Sequence, residues 1–263
     1  MKIRSVFLLV GMFLLVVAST KATVVSYWHL DEASGNFNDS VGSNDLIDCG
    51  STLNTLSPPT VPGYANLGSQ TSLRAKTGYI PAVNLSTSAW TVEGFYRSSS
   101  TARQFVLSNN PGGSIRSGAW DIEASWKVVG ALTFRIQAKD GTSIIMNGSR
   151  TVSDGAFHHF ALTWSPTAGA NGTVSMYVDG LLDISASGAG DQGAAVASLF
   201  YTGGLLLADG TFNSTLGVNG EMDELRISNT VLSPSQFLNV PEPATLALLF
   251  FGGLICKIRK QRC

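Results

Sequence analysis

Two tryptophans and two carboxylates fall within one short segment of this 263-residue chain, at Trp120, Asp121, Glu123 and Trp126. Aromatic faces can stack on sugar rings, and carboxylates accept hydrogen bonds from sugar hydroxyls. Because side chains alternate along a strand, Trp120 and Trp126 are expected on one face of a sheet. The segment therefore predicts a saccharide-binding platform. Packing of the same rings in a hydrophobic core is the alternative.

A second group of acids lies in the segment EMDELR at residues 221–226. Glycoside hydrolysis with retention requires a nucleophile and an acid about 5 Å apart. In a strand of the pattern E-x-D-x-x-E the second acid would stand at Arg226, so the pair is incomplete. We therefore predict a protein that is not an enzyme, with a glycoside hydrolase as the less favoured alternative.

The histidine pair His158 and His159 does not indicate a catalytic or metal site. Adjacent residues of a strand point to opposite faces and cannot chelate one ion together. The chain also lacks the Gly-x-Ser-x-Gly turn that presents the nucleophile of many hydrolases. We expect structural roles for both histidines.

The elements that would position these residues are β-strands. The chain has 28 glycines, only 13% of its residues are charged, and apolar and polar residues alternate with period two in several segments. In 90–96 and 159–164, even-numbered residues are expected on the face opposite the odd-numbered ones. The predicted strands are 24–30, 90–96, 104–108, 120–126, 132–138, 143–146, 159–164, 173–178, 181–184, 205–207 and 221–227.

Turn residues separate these strands and predict antiparallel hairpins. Asp140-Gly141, Asn147-Gly148 and Asp179-Gly180 accept the positive φ angles that a type I′ turn requires. Glycine, alanine and serine dominate residues 185–198, which indicates a long surface loop. No segment of the body predicts a helix.

The charge of the chain is distributed unevenly. Its formal net charge is −1, but residues 23–240 keep 10 of the 17 Lys and Arg and 17 of the 18 Asp and Glu, a formal charge of −7. Nucleic acids and anionic membrane surfaces require clustered Lys and Arg, so neither is an expected partner of the body.

The N-terminus has the anatomy of a signal peptide. Lys2 and Arg4 precede an apolar run over residues 6–18, and small and polar residues follow as far as Ala22. The run is shorter than the about 20 apolar residues of a full membrane span. We expect export and cleavage by signal peptidase after Ala22. An uncleaved anchor is the alternative.

The C-terminus carries Val240, Pro241, Glu242 and Pro243 directly before an apolar stretch over residues 244–256 and a basic end. This arrangement resembles the PEP-CTERM sorting signal of exosortase substrates. The resemblance implies a short transmembrane helix within residues 240–263, which anchors the chain until an exosortase-type membrane protease cuts near Pro-Glu-Pro. The basic end would stay cytoplasmic and the body outside. A permanent anchor is the alternative.

Five segments of the body resemble, in the same order, those of laminin G-like jelly rolls. They are YWHLDE with NDSVG (27–32 and 38–42), TVEGFY (91–96), FHHFALTW (157–164), VSMYVDG (174–180), and GEMDELRI with LS (220–227 and 232–233). The resemblance implies one all-β domain over residues 23–238, an antiparallel β-sandwich of the jelly-roll, concanavalin A-like type. This fold serves lectins, adhesins, hydrolases and spacers, so it does not by itself define a function.

Relatives of this fold often hold a calcium ion near the first and last strands, and the resemblance implies the same here. Calcium takes about six to eight oxygen ligands. The expected ligands are Asp39 and Asp223, with Asp31, Asn44 and Asp45 as additions. Strict alternation would place Glu224 on the face opposite Asp223. The alternative is an Asx-turn at Asp39 and a simple hydrogen bond at Asp223.

Taken together, these features predict an exported protein of the cell envelope or extracellular matrix, anchored transiently by its tail. Its jelly-roll module would bind an extracellular glycan or a matrix protein without catalysis. A purely structural surface component is the alternative.

Overall fold

The computed structural model describes residues 23–32, 36–48, 65–67, 73–75, 88–109, 119–137, 143–166, 172–189, 201–202, 205–206, 212–213 and 216–238. These residues form two large antiparallel β-sheets around one hydrophobic core. The predicted all-β, antiparallel sandwich is confirmed.

The first sheet joins the two ends of the domain. Its strands are β1 (Val24–Trp28), β3 (Ala65–Leu67), β5 (Trp90–Arg97), β10 (Phe157–Ser165), β11 (Gly172–Val178), β12 (Leu181–Ala189) and β16 (Gly220–Ser228). They follow the order β1-β16-β5-β10-β11-β12, and β3 also pairs with β16. The last strand therefore lies between the first strand and β5.

The second sheet packs against the first. Its strands are β2 (Leu46–Asp48), β4 (Leu73–Ala75), β6 (Gln104–Ser108), β7 (Trp120–Ala124), β8 (Ala131–Gln137), β9 (Ser143–Thr151) and β13 (Tyr201–Thr202). They follow the order β2-β4-β13-β6-β7-β8-β9. A small separate sheet contains β14 (Leu205–Leu206) and β15 (Phe212–Asn213).

The core between the sheets is rich in tryptophan. Trp28, Trp90, Trp120 and Trp164 are all fully buried there. Trp90 and Trp120, from opposite sheets, stack with ring centroids 5.4 Å apart. Such rings bury large apolar areas and contribute strongly to stability. The even-numbered side chains of 90–96 and 159–164 point into this core, which confirms the predicted alternation.

Most predicted strands are observed with small changes at their ends, but Asn147-Gly148 is not a turn. The pair lies inside β9, so the hairpin prediction there is wrong. Gly148 is buried, and a β-carbon at this position would collide with the Asp183 carboxylate and the Leu132 carbonyl oxygen. Glycine therefore serves close packing between β9 and its neighbours rather than a turn.

The other turn predictions have mixed outcomes. Asp179 and Gly180 adopt φ angles of 52° and 71°, which confirms the turn between β11 and β12. Residues 185–189 continue β12, so the predicted loop is wrong over that part. The rest of that loop and Asp140-Gly141 lie outside the described residues.

The segment after β16 folds back over the outer face of the first sheet, and we call residues 229–238 the strap. Leu232 and Phe237 are buried there against Ala161 and Tyr177. The strap contains a short 3-10 turn at Pro234–Gln236. It covers the middle of this face, whereas Phe95 and Asp223 towards β16 keep partial exposure.

The predicted signal peptide and sorting tail lie outside the described residues. The cleavage site at Ala22 and the motif at Val240, Pro241, Glu242 and Pro243 therefore stay predictions. Within the part of the chain that is described, no helix is long and apolar enough to cross a membrane.

Candidate functional site

The saccharide platform predicted on the second sheet does not form, because its two rings do not share a face. Trp120 is fully buried in the core, whereas Trp126 lies beyond the end of β7 and is partly exposed. Strand β7 ends at Ala124, and Ser125 adopts a positive φ of 56°, which interrupts the alternation. Core packing, the alternative, describes Trp120.

Trp126 lies among cations at the outer face of the second sheet. The guanidinium carbons of Arg103 and Arg135 lie 4.6 Å and 5.2 Å from its ring centroid, and Lys127 Nζ lies 4.3 Å away. Cations in these positions are attracted to the ring face. A sugar would have to compete with them for the same ring.

The two acids of this segment are fully buried and paired with the same arginines. Asp121 accepts a hydrogen bond from Arg135 Nη2 at 2.5 Å, and Glu123 accepts one from Arg103 Nε. Burial raises the pKa of both carboxyls, that of Glu123 to about 7. These acids are held by the arginines and are not exposed to a ligand.

A different site lies on β16, where the first sheet is interrupted. On one side β16 pairs with β3 through residues 220–222 and with β1 through residues 225–228, so Asp223 and Glu224 lie between two strand ends. On the other side, the register against β5 shifts between Asp223 and Arg226. We call this position the sheet break. Bulges of this kind re-aim side chains and are frequent near functional sites.

The bulge turns Asp223 and Glu224 to the same outer face. Strict alternation would place Met222 and Leu225, three positions apart, on opposite faces, yet both are fully buried. The two acids between them are partly exposed. The prediction that Glu224 faces away from Asp223 is therefore wrong, because the extra residue of a bulge breaks the alternation.

Backbone strain is concentrated at the sheet break. Glu224 has a φ of 51°, and Leu30, two residues after the end of β1, has a φ of 62°. The Glu224 amide approaches the His29 carbonyl oxygen at 3.5 Å, so the two strained residues lie close together. Positive φ is unusual for such side chains and tends to persist at functional sites.

Asp223 carries a carboxylate oxygen for which the described residues supply no hydrogen-bond donor. Its Oδ1 is buried and has no partner among the described residues. Burial, followed by the charge of Glu224, raises the pKa of Asp223 to about 7. An unsatisfied buried acceptor costs about 1–3 kcal/mol, so the Asp223 carboxylate is incompletely compensated by the described residues.

Aromatic side chains surround the two acids. The Tyr27 hydroxyl donates to Glu224, and burial followed by this hydrogen bond raises the pKa of Tyr27. His29 Nδ1 lies 3.1 Å from Glu224 Oε2, and its ring centroid lies 4.4 Å from that of Tyr27. Phe95 lies opposite Asp223 on β5 and is partly exposed. The break thus combines carboxylates with aromatic rings.

Sequence reasoning missed Tyr27, His29 and Phe95 as site residues. A signal was present, because Tyr27 and His29 share the parity of Asp31, and Phe95 belongs to the outward-facing row of β5. What was missing was the knowledge that β1 and β5 both flank β16.

The predicted calcium ligands fall into two groups. Asp31 lies near Asp223, and its charge contributes to the raised pKa of Asp223. Asp39, Asn44 and Asp45 lie together in the loop before β2, where Asp39 N donates to Asp45 Oδ1 at 3.1 Å. The described residues contain no group of three or more His, Cys, Asp or Glu arranged to hold a metal ion. Calcium stays a prediction.

The Asp39 carboxylate is engaged by backbone amides. Its Oδ1 accepts hydrogen bonds from Tyr27, Val41 and Gly42 at 2.9–3.1 Å, and its Oδ2 accepts one from Asn44 at 3.1 Å. Burial opposes ionisation, but these hydrogen bonds outweigh it and lower the pKa of Asp39. The Asx-turn alternative therefore describes Asp39 well.

Arg226, His158 and His159, which the sequence analysis considered for catalysis, each pair with carboxylates outside the sheet break. Arg226 Nε donates to Glu93 Oε1 at 2.8 Å, and His159 Nε2 lies 3.0 Å from Glu93 Oε2. His158 lies 3.0 Å from Asp154 and 2.8 Å from Asp179. The two histidines thus contact different groups, as residues on opposite faces should.

The fold is matched by a family model described as the concanavalin A-like lectin/glucanases superfamily (Laminin_G_3), over residues 71–237. The match covers more than half of the chain, and the chain therefore belongs to this laminin G-like family. Among curated proteins, no sequence matches it.

Solved structures share the fold at low sequence identity. Domain 4 of AbnA, a GH43 extracellular arabinanase from Geobacillus stearothermophilus, solved in complex with arabinotriose, is 18% identical with a TM-score of 0.55, over 82% of this chain and 96% of that one. The binding domain of Paraclostridial Mosquitocidal Protein 1 is 17% identical with a TM-score of 0.58, over 81% of this chain and 50% of that one.

The binding domain of botulinum neurotoxin DC, solved in complex with SialylT, is 15% identical with a TM-score of 0.55, over 81% of this chain and 49% of that one. This chain therefore spans about half the length of the two toxin domains.

Proposed function

We propose that this protein is an exported, non-enzymatic binding module that takes a glycan at the sheet break. The observation that carries the proposal is the Asp223 carboxylate, partly exposed and incompletely hydrogen-bonded among the described residues, opposite the partly exposed ring of Phe95. A sugar supplies both complements, because its hydroxyls donate hydrogen bonds and its ring has an apolar face.

The charge of the site favours a neutral ligand. Asp31, Asp223 and Glu224 lie near one another, and the body carries a formal charge of −7. Polyanionic ligands would be repelled by such a field. The same fold carries a saccharide in domain 4 of AbnA, solved with arabinotriose, which supports this class of ligand.

The surroundings of the second acid favour binding over hydrolysis. Glu224 accepts a hydrogen bond from Tyr27 and lies beside His29, so its carboxylate is already engaged. A retaining hydrolase needs two available carboxyl groups. Asp223 has an oxygen without a partner among the residues that the structure describes, whereas Glu224 is bonded to its neighbours.

A glycan array probed with the purified protein tests the proposal. We expect reproducible hits that competing free sugar abolishes and that Asp223→Asn loses. Asp183→Asn is the matched control, because Asp183 lies on β12, four strands from β16. An array without hits would favour a purely structural surface component. If Asp223→Asn still binds the same glycans, the ligand binds outside the sheet break.

Export rests on the two chain ends. We propose signal peptidase cleavage after Ala22, transient anchoring by the tail, and processing near Pro241 by an exosortase-type protease. Mass spectrometry of envelope and medium fractions should find mature chains without Lys260. Full-length C-termini in every fraction would make the tail a permanent anchor.

A further inference from the structure

A polar groove lies beside the sheet break on the same strand. Glu221 and Asp223 both face outward, and such neighbours on one strand are about 7 Å apart. Glu221 borders an open groove of about 270 Å³. The other walls come from Arg97, Ser98 and Ser99 at the end of β5, from Gly155, and from Asn219 and Gly220 at the start of β16.

The groove offers donors and acceptors together. Arg97 Nε donates to Glu221, and the two side chains are 30% and 15% exposed. Ser99 and Asn219 are exposed on the neighbouring walls. This combination suits a ligand that presents several hydroxyls, since each hydroxyl both donates and accepts.

Two features give the groove its shape. The Ser98 hydroxyl donates to the Asn219 carbonyl oxygen at 2.7 Å and accepts from the Ser100 amide at 3.0 Å, which joins two walls. Gly155, at a φ of 85°, leaves its wall bare, and a β-carbon there would still lie 4.0 Å from Ser99 Cβ. The space remains open because no side chain of the described residues fills it.

The charge and size of the groove restrict its occupant. Arg97 and Glu221 balance each other, so the groove favours neither an anion nor a cation. A volume of about 270 Å³ suits one small ring. A neutral sugar unit meets both conditions, and the groove lies close enough to Asp223 to take the next unit of the same chain.

We propose that this groove is a second sugar subsite and that the ligand is an oligosaccharide of at least two units. One unit lies at the sheet break and the next in the groove beside Arg97 and Glu221. This inference rests on the proposed function and adds to it that the protein recognises a chain rather than a monosaccharide.

A length series of the glycan found on the array tests the subsite. Calorimetry with the mono-, di- and trisaccharide should show affinity for wild type rising about tenfold beyond one unit, the value of one or two added hydrogen bonds. The double variant Ser99→Ala/Asn219→Ala should bind sugars of every length with the affinity that wild type has for the monosaccharide. The matched control is Ser165→Ala/Asn147→Ala, whose side chains are exposed outside the groove.

The outcomes separate the two proposals. Equal affinity of wild type for all lengths, or a length effect that the double variant retains, would overturn the subsite and leave binding at Asp223 intact. Failure of every sugar to bind wild type would refute the proposed function itself.

Discussion

Glu93 and Asp223 are carboxylates on neighbouring strands of one sheet face, yet their surroundings are opposite. Glu93 is fully buried and accepts hydrogen bonds from Arg226 Nε and from the Leu238 amide, each at 2.8 Å, beside His159. Asp223 has a buried Oδ1 with no donor among the described residues. The strap supplies one of the donors to the acid that it covers, whereas the acid at the sheet break has an oxygen with no described donor.

The difference has an energetic meaning. A buried charge is tolerated when it is paired and hydrogen-bonded, and it is costly otherwise. Burial, followed by the charge of Glu224, raises the pKa of Asp223 to about 7, so the folded protein disfavours its ionised form. We infer that Glu93 contributes to the stability of the fold. Asp223, by contrast, reduces stability and serves ligand binding.

The largest effect is expected at Glu93. Glu93→Ala would leave Arg226 and His159 without their common partner, and breaking such a buried pair costs about 3–5 kcal/mol. Urea denaturation measures this loss. Glu221→Ala is the control, because the partly exposed pair with Arg97 should contribute only about 1 kcal/mol. Equal losses in both variants would remove the distinction between covered and open carboxylates.

At Asp223 we expect the opposite sign. Its folded-state pKa of about 7 exceeds the ordinary value of 3.8, so the folded state binds the proton more tightly. Stability should therefore fall as pH rises from about 4 to about 7. Asp223→Asn should remove the part of this fall that Asp223 causes and be more stable than wild type at pH 7.5, by about 1–2 kcal/mol after allowance for solvent screening.

Unfolding curves of both proteins at several pH values measure the effect. Burial also raises the pKa of Glu123 to about 7, so only the difference between variant and wild type isolates Asp223. A variant that is less stable than wild type at pH 7.5 would show that the carboxylate has a stabilising partner.

Calcium is expected to have the smallest effect. An ion bound only by the folded state adds RT ln(1 + [L]/Kd), about 1.4 kcal/mol at ten times Kd. Millimolar calcium should therefore raise the melting temperature relative to EDTA, and Asp223→Asn should erase the shift. Asp39→Asn should preserve it, because amides already occupy that carboxylate. An unchanged melting curve for wild type would exclude the calcium site and leave the glycan proposal intact.

Regular strands could be predicted from sequence, because alternation alone identifies them. Residues 104–108 were predicted with the bounds of β6, and the rows of β5 face as expected. Strands of two or three residues, such as β2 and β13, carry no local pattern and depend on distant partners.

The candidate site could be predicted only in part. The acidic residues of EMDELR (221–226) can be recognised in the sequence. Nothing in that segment, however, indicates that β1 and β3 both end beside Asp223. The resulting bulge decides which way Glu224 points. Trp120 and Trp126 were misplaced for a related reason, since Ser125 interrupts the strand between them.

The most direct measurement is an NMR titration of the Asp223 side-chain carboxyl carbon, with and without the glycan. We predict a pKa of about 7 in the free protein. The pKa should fall when the glycan binds, because hydroxyls that donate to the carboxylate stabilise its ionised form. A pKa that the glycan leaves unchanged would contradict ligand binding at the sheet break.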